Sequence, residues 1–82
     1  MREEDLAREF GESVRRLRLE RGYSQAGFAE AAKIDRAHMG EIERGEVTVT
    51  IVTALKVAQA LGVSLATLFS EVEGNREGTS GG

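Results

Sequence analysis

The amino-acid sequence predicts an all-α protein, a compact bundle of five helices. Helix starts are indicated by side chains that can accept a hydrogen bond from the free N–H groups of a first turn, at Ser24, Asp35, Thr50 and Ser64. Helix ends are indicated by glycines that follow apolar runs and can adopt the left-handed conformation, at Gly22, Gly45 and Gly62. No stretch alternates between apolar and polar residues for long enough to predict a strand.

The first helix is predicted at Asp5–Arg21. Its apolar residues follow one another at spacings of four, four and three, at Leu6, Phe10, Val14 and Leu17. That spacing places them on a single face of a helix with 3.6 residues per turn. We therefore expect this face to pack against the other helices.

Helices two and three are predicted at Gln25–Ala32 and Arg36–Arg44, joined by three residues only. Helices this short are marginal in water, so each must be held by packing against the others. The residues expected to point inward are Phe28, Ala29, Ala32, Ile34, Met39 and Ile42. This arrangement is typical of a helix-turn-helix unit, in which the second helix is presented to a groove of DNA.

The last two helices are predicted at Ile51–Leu61 and Leu65–Phe69. The stretch VTVTIV at 47–52 comes closest to a strand, but the helical period that follows Thr50 favours a loop leading into the fourth helix. The segment EGNREGTSGG at the end is polar and glycine-rich, which predicts disorder. We thus expect one domain over residues 1–70 and a disordered tail over residues 71–82.

Composition narrows the class of protein. A chain of 82 residues suffices for one small domain, and the absence of cysteine excludes a disulfide scaffold and thiolate metal sites. The charged start MREEDLAREF and the lack of an apolar run near ~20 residues predict a soluble, cytoplasmic protein without a secretory signal or membrane span. With a lone histidine and no glycine-rich phosphate loop, an enzyme is a poor interpretation, and no cofactor, metal or small-molecule ligand is expected.

The charge of the chain gives two opposite indications about nucleic acid. The formal net charge of -3 argues mildly against a polyanionic partner. Yet residues 12–45 contain seven basic and six acidic residues, so the acidity lies at the two ends of the chain. Because the local field governs contact with phosphate, charge alone leaves the question open.

The central segment SQAGFAEAAKIDRAHMGEIERG resembles the helix-turn-helix of the Cro and phage-repressor family, also called the xenobiotic-response-element (XRE) type. The flanking segments RRLRLERGYSQ and ALKVAQALGVSLATLF are similar to the first, fourth and fifth helices of that family. The resemblance implies a lambda-repressor-like DNA-binding fold. More narrowly, FG at 10–11 and IDR followed by MGEIERG resemble the controller proteins of restriction–modification systems.

Two positions depart from the family pattern. Lys33 occupies the turn position that usually holds glycine, so it must take a positive φ or the turn must relax. Glu41 stands late in the recognition helix, where many relatives carry a basic or amide residue. The second departure means that no relative's operator sequence can be transferred to this chain.

The third helix carries the candidate base contacts. With Met39 and Ile42 pointing inward, the outward positions are Arg36, Ala37, Gly40 and Glu41. Arg36 suits guanine, Ala37 a thymine methyl group and Glu41 the N4 donor of cytosine, while Gly40 would let the backbone approach the groove closely. The alternatives are a solvated Arg36, a Glu41 paired with Lys33 or Arg44, and a Gly40 that is merely tolerated.

Candidate phosphate contacts flank this helix. Ser24 and Gln25 open the second helix, where free N–H groups and the helix dipole favour an anion, and the resemblance implies that the glutamine contacts phosphate. Further candidates are His38, Arg44, Thr48, Arg15 and Lys33. The resemblance also implies a partly buried structural ion pair between Arg18 and Glu43.

An apolar surface indicates a homodimer. The candidate interface residues are Val49, Val52, Leu65, Leu68 and Phe69; alternatively, the fifth helix only covers the core. Two copies on a two-fold symmetric operator would place half-sites about one helical turn, ~34 Å, apart. We therefore expect a dimeric DNA-binding regulator that acts by occupancy, with exposed acids such as Glu41 or Glu46 available to RNA polymerase. The alternative is a protein-interaction module such as an antitoxin.

Overall fold

The computed structural model describes residues 2–80, and their side chains over residues 2–74. The chain forms five helices, which are α1 (Glu3–Glu20), α2 (Gln25–Ala32), α3 (Arg36–Glu43), α4 (Ile51–Leu61) and α5 (Leu65–Ser80). None of residues 2–80 lies in a strand. The predicted all-α class and the order of five helices are confirmed, and α2 and α4 have the predicted bounds.

Local hydrogen bonds fix the helix ends where the sequence predicts them. A first-turn N–H donates to the side chain of each predicted cap, at Ser24, Asp35, Thr50 and Ser64. Three glycines close helices with positive φ, Gly22 and Gly62 at 76° and Gly45 at 72°. Each cap satisfies backbone groups that a short helix would otherwise leave unpaired.

One core joins all five helices. Its fully buried large side chains come from every helix, at Val14, Phe28, Met39, Ile42, Val57 and Leu68. Each helix buries one stripe only, so the short α2 and α3 are held by their packing on α1, α4 and α5 rather than by their own propensity.

Helix α1 approaches the C-terminal end of α3 closely at Gly11. A Cβ atom built on Gly11 would lie 2.2 Å from the carbonyl oxygen of Ile42 and 2.7 Å from that of Glu43. No side chain fits in that space, because backbone atoms cannot move aside as a flexible side chain can. Gly11 therefore allows α1 to press directly against the backbone of α3 and to set its position.

The structure corrects the predicted end of the chain. Helix α5 continues to Ser80, so the prediction that the helix ends at Phe69 is wrong. Val72 is only 8% exposed and extends the core beyond Leu68, which explains why the helix continues past Phe69. The division into a domain over residues 1–70 and a tail over residues 71–82 stays a prediction. Gly81 and Gly82 lie outside the described residues.

Candidate nucleic-acid interface

Helix α3 has one buried side and one exposed side. Met39 and Ile42 are 0% and 1% exposed, and they anchor α3 on the core. Arg36 and Ala37 in its first turn are exposed. The predicted orientation of the helix is therefore confirmed, and a polar first turn faces solvent at a position where nothing in the described chain covers it.

Gly40 is not presented to solvent, so its prediction as an outward position is wrong. The residue is buried, and a Cβ atom built on it would lie 3.0 Å from Nη1 of Arg44 and 3.6 Å from Oε1 of Gln25. Because glycine has no side chain, Arg44 folds back over it from the end of α3. Gly40 thus leaves room above it for the ends of two candidate phosphate contacts, Arg44 and Gln25.

The turn between α2 and α3 keeps its shape with lysine in place of glycine. Lys33 has φ 59° and ψ 42°, the left-handed conformation that its position in the turn requires. Its N–H donates to the carbonyl of Glu30, and the N–H of Ile34 donates to that of Ala29. A non-glycine residue in this conformation costs ~1 kcal/mol, which the buried Ile34 and the hydrogen bonds of the turn offset.

The base of α3 is held by a buried ion pair. Nε of Arg18 donates to Oε2 of Glu43 at 2.7 Å and Nη2 donates to Oε1 at 3.0 Å, with the two side chains 8% and 3% exposed. Nη1 of Arg18 donates to the carbonyl of Tyr23 at 2.9 Å. One guanidinium therefore ties α1 to α3 and to the loop before α2, in the pairing that the family resemblance implies.

Gln25 is attached to the same pair. Its Nε2 donates to Oε1 of Glu43 at 3.2 Å, so this carboxylate oxygen accepts from both Arg18 and Gln25. The contact fixes the orientation of the amide at the start of α2, and the amide oxygen lies near Gly40. Sequence reasoning missed this link because it assigned Gln25 to DNA and Glu43 to Arg18 separately.

A second ion pair lies on the surface directly after α3. Nε of Arg44 donates to Oε2 of Glu46 at 2.8 Å and Nη2 donates to Oε1 at 3.2 Å, with side chains 59% and 53% exposed. The hydrogen bonds raise the pKa of Arg44 above its ordinary value and lower the pKa of Glu46 below its ordinary value. Nothing in the sequence indicated this pair except that the two residues are close together in the chain.

The remaining candidates lie at the surface in different degrees. Oε1 of Glu41 lies 3.4 Å from Nδ1 of His38, and both side chains are nearly half exposed. Glu41 forms a hydrogen bond or ion pair with neither Lys33 nor Arg44. The other candidate phosphate contacts are exposed, at Ser24, Arg15, Lys33, Arg44 and Thr48. The hydroxyl oxygen of Ser24 accepts from the N–H of Gly27, which leaves its hydrogen able to reach an anion.

An apolar surface lies away from α3, between the start of α1, the loop before α4 and α5. Ile51 and Val52 are 72% and 65% exposed, and Phe69 is 41% exposed. A groove beside them is lined by both Val49 and Phe69. Leu68 is wrong as a candidate interface residue, because it is 0% exposed and packs into the core of its own chain.

The candidate dimer surface therefore differs from the predicted one in three residues. Leu68 is buried in the core of its own chain, which agrees in part with the alternative that α5 only covers the core. Ile51 and Leu6, which is 42% exposed, were missed because both fit the helical apolar patterns. Leu65 and Val49 are partly buried.

The described residues show neither a metal-ligand cluster nor a single membrane-spanning helix. Among them, no three histidine, cysteine, aspartate or glutamate side chains are grouped so that they could hold a metal ion. No single helix within residues 2–80 has the length and apolar character needed to cross a membrane, although α4 and Leu65–Gly74 reach that limit as a pair bent by 92°.

Comparison with known proteins identifies the family. A sequence profile described as helix-turn-helix matches residues 14–68. The chain belongs to the helix-turn-helix family. This match and those below confirm both the resemblance to XRE-type regulators and the likeness to controller proteins.

Relatives of known sequence are similar over most of the chain. The control protein C.MunI of Mycoplasma sp is 36% identical over 70 residues, which are 84% of this chain and 95% of that protein. The HTH-type transcriptional regulator SutR of Escherichia coli (strain K12) is 39% identical over 67 residues. Those residues are 82% of this chain and only 38% of SutR, so the chain corresponds to part of that longer protein.

The solved structure of a controller protein is also similar to this chain. The restriction–modification controller protein C.AhdI from Aeromonas hydrophila matches with a TM-score of 0.74 and 40% sequence identity. The match covers 79% of this chain and 97% of that chain. The fold predicted from the helix caps is thus the fold of the family.

Proposed function

We propose that the protein is a sequence-specific transcriptional regulator that binds double-stranded DNA with α3 in the major groove. The observation that carries the proposal is the orientation of α3, which buries Met39 and Ile42 and exposes Arg36 and Ala37. A helix held in this way offers its first turn and outer stripe to base edges. The name of SutR, a transcriptional regulator, supports the same function.

Three side chains of α3 are proposed to contact bases. Arg36 donates two hydrogen bonds to guanine O6 and N7, and Ala37 packs on a thymine methyl group. Glu41 accepts from cytosine N4, for which its carboxylate must turn away from His38. Gly40 is left out of this set, because Arg44 and Gln25 cover it.

The proposed phosphate contacts surround the reading face. Gln25 is held in place by Glu43, and Arg44 lies beside it over Gly40. Further donors to the backbone are Ser24, Lys33, Arg15, His38 and Thr48. Such contacts give affinity without sequence preference and set the register of α3 on the duplex.

Selection of bound sequences from a random duplex pool tests this function. We expect a two-fold symmetric consensus with half-sites ~34 Å apart. Repeating the selection with Arg36→Ala should relax the preference at one base pair per half-site, with a loss of ~1–3 kcal/mol in discrimination. A bound pool without any consensus would contradict sequence-specific binding.

We propose that the regulator is a homodimer. The exposed Ile51, Val52 and Phe69 and the partly buried Val49 and Leu65 supply an apolar surface that single exposed residues would not explain. Sedimentation at micromolar concentration, with and without DNA, should show a dimer. Val52→Asp should shift it to monomer, because a charge on an apolar interface must be desolvated. A monomer throughout would contradict the proposal.

A narrower role is proposed from the relatives. C.MunI and C.AhdI are named as controller proteins, and each is covered almost completely by its match to this chain. We propose that the chain regulates a restriction–modification system in the cytoplasm, without enzymatic activity. The exposed carboxylate of Glu46 is then a candidate contact for RNA polymerase when the protein is on its operator. A Glu46→Ala variant that still binds its operator and loses activation would support that contact.

A protein-interaction module of the antitoxin class is the second candidate. It is favoured by the net charge of -3 and by the exposed apolar groove lined by Leu6 and Phe69. Salt distinguishes the two functions. DNA affinity must fall steeply as salt rises because bound counterions are released, whereas an apolar protein interface is nearly insensitive to salt.

A further inference from the structure

We propose that Glu46 competes with DNA phosphate for Arg44 and thereby lowers the affinity of the protein for non-cognate DNA. The inference rests on the proposed DNA-binding function and concerns one residue that neither the motif nor the base contacts involve. It assigns Glu46 the role of a positioning residue, which acts on DNA only through Arg44.

The backbone places Glu46 beside Arg44 by a defined turn. Gly45 has φ 72°, its N–H donates to the carbonyl of Ile42, and the N–H of Glu46 donates to the carbonyl of Glu41. These are the two hydrogen bonds of the Schellman motif, which closes a helix with a glycine in the left-handed conformation. The carboxylate of Glu46 is thus directed back along the end of α3.

The side chains of Arg44 and Glu46 are joined by two parallel hydrogen bonds. Two nitrogens of Arg44 donate to the two carboxylate oxygens of Glu46 at 2.8 and 3.2 Å. The third nitrogen, Nη1, lies over Gly40 near the amide oxygen of Gln25. A carboxylate and a phosphate present similar pairs of oxygens to a guanidinium, so Glu46 occupies the edge of Arg44 that a phosphate would use.

The exposure of the pair makes the exchange feasible. Arg44 and Glu46 are more than half exposed, and exposed ion pairs contribute little to folding, so the pair can open while the fold stays intact. A phosphate on a well-docked duplex is held near Arg44 by all other contacts and displaces the carboxylate. On non-cognate DNA fewer contacts hold the phosphate there, and the pair with Glu46 persists.

The variant Glu46→Gln tests the inference by removing the charge and keeping the shape. Binding to a random-sequence duplex should tighten by about 3- to 10-fold at low salt. The slope of log affinity against log salt should become steeper by about 0.9 for each subunit, because one more phosphate is neutralised. On the selected operator the gain should be smaller, so the ratio of cognate to random affinity should fall.

A matched control separates this effect from net charge. Glu71 also pairs with an arginine, Arg16, and the two side chains are 42% and 41% exposed, but this pair joins α5 to α1 and involves no residue of α2 or α3. Glu71→Gln makes the same change in net charge and removes one of the two carboxylates that pair with Arg16, the other being Glu20. If it tightens binding to random DNA as much as Glu46→Gln does, the gain comes from overall charge and the inference is wrong.

The double variant Glu46→Gln with Arg44→Ala decides whether Arg44 transmits the effect. The gain from Glu46→Gln should disappear when Arg44 is absent, which a double-mutant cycle detects directly. If the gain persists, Glu46 repels DNA directly. This outcome overturns the inference and leaves the proposed DNA-binding function intact. A wild-type chain that binds no DNA even at low salt overturns the proposed function and the inference together.

Discussion

The two arginine–glutamate pairs at the end of α3 have the same geometry and opposite surroundings. In both, Nε and Nη2 of the arginine donate to the two carboxylate oxygens, at 2.7 and 3.0 Å for Arg18–Glu43 and at 2.8 and 3.2 Å for Arg44–Glu46. The first pair has side chains 8% and 3% exposed, the second 59% and 53%. Burial, not hydrogen-bond geometry, therefore determines what each pair does.

A buried pair cannot exchange its partners for water, so breaking it leaves a charge without solvation. An exposed pair can exchange them at little cost, because water and salt replace the lost contact. Arg18–Glu43 is consequently a structural connection that holds α3 on α1, whereas Arg44–Glu46 is available for exchange with a ligand. The two glutamates are separated in sequence by only Arg44 and Gly45, and the Gly45 turn directs the second one to the surface.

The largest effect expected is that of Glu43→Ala. Removing one partner of the buried pair leaves Arg18 charged and unpaired, at a cost of ~3–5 kcal/mol in the free energy of unfolding. Urea unfolding followed by circular dichroism measures it, and a chain that is unfolded without denaturant counts as the upper end of the range. Glu71→Ala, which breaks an exposed pair, is the control and should cost ~0–1 kcal/mol. Equal losses in the two variants would remove the distinction by burial.

Gln25→Ala is expected to have an intermediate effect of two kinds. The buried carboxylate of Glu43 loses one of its hydrogen bonds, which lowers the free energy of unfolding by ~1–2 kcal/mol. DNA binding should weaken by the same factor on cognate and random duplexes, since the amide is proposed to contact phosphate. Titrations of both duplexes measure this, with Arg36→Ala as the comparison that weakens only cognate binding. Selective loss of cognate binding in Gln25→Ala would assign the glutamine to base reading instead.

The variant Gly40→Ala places a methyl group under the side chain of Arg44 and tests whether that side chain can move. Alanine favours a helix over glycine by ~1 kcal/mol, and the three atoms nearest to the new methyl group belong to the flexible ends of Arg44 and Gln25. We therefore expect unchanged or higher stability, by up to ~1 kcal/mol, in thermal unfolding, together with weaker DNA binding because Arg44 is displaced. Gly11→Ala is the contrasting control and should be strongly destabilising, because its methyl group would meet the backbone of α3. Destabilisation by Gly40→Ala would show that Arg44 is held rigidly.

The structural features that the sequence predicts well are those fixed by interactions between residues close together in the chain. Ser24, Asp35 and Thr50 each satisfy N–H groups within the next three residues, so the helix starts could be assigned without knowledge of the tertiary fold. The inward side of α3 followed from the spacing of Met39 and Ile42 alone. Lys33 was predicted to adopt a positive φ if the turn kept its shape, and it does.

The elements that sequence missed depend on contacts between separate elements. Gly40 was expected to face outward because its position on the helix wheel is outward, but the side chain of Arg44, drawn by Glu46, covers it. The polar, glycine-containing end of α5 predicts a coil, yet packing of Val72 against the core continues the helix. In each case a contact between distant parts of the chain overrides a local conformational preference. The spacing of residues in the sequence does not indicate such a contact.

The smallest effect expected is that of Glu46→Gln on stability. Its carboxyl pKa is lowered in the folded chain, so its contribution to stability exists above the ordinary carboxyl pKa and is lost as pH falls through the lowered value. Because both partners are exposed, that contribution is small, and the thermal unfolding midpoint of Glu46→Gln at neutral pH should coincide with that of the wild type. Scanning calorimetry at low and high salt checks this, with Glu43→Gln as the buried counterpart that should lower the midpoint at both. A clear loss of stability in Glu46→Gln would place Arg44–Glu46 with the structural contacts, and an arginine held that firmly would not be free to bind DNA.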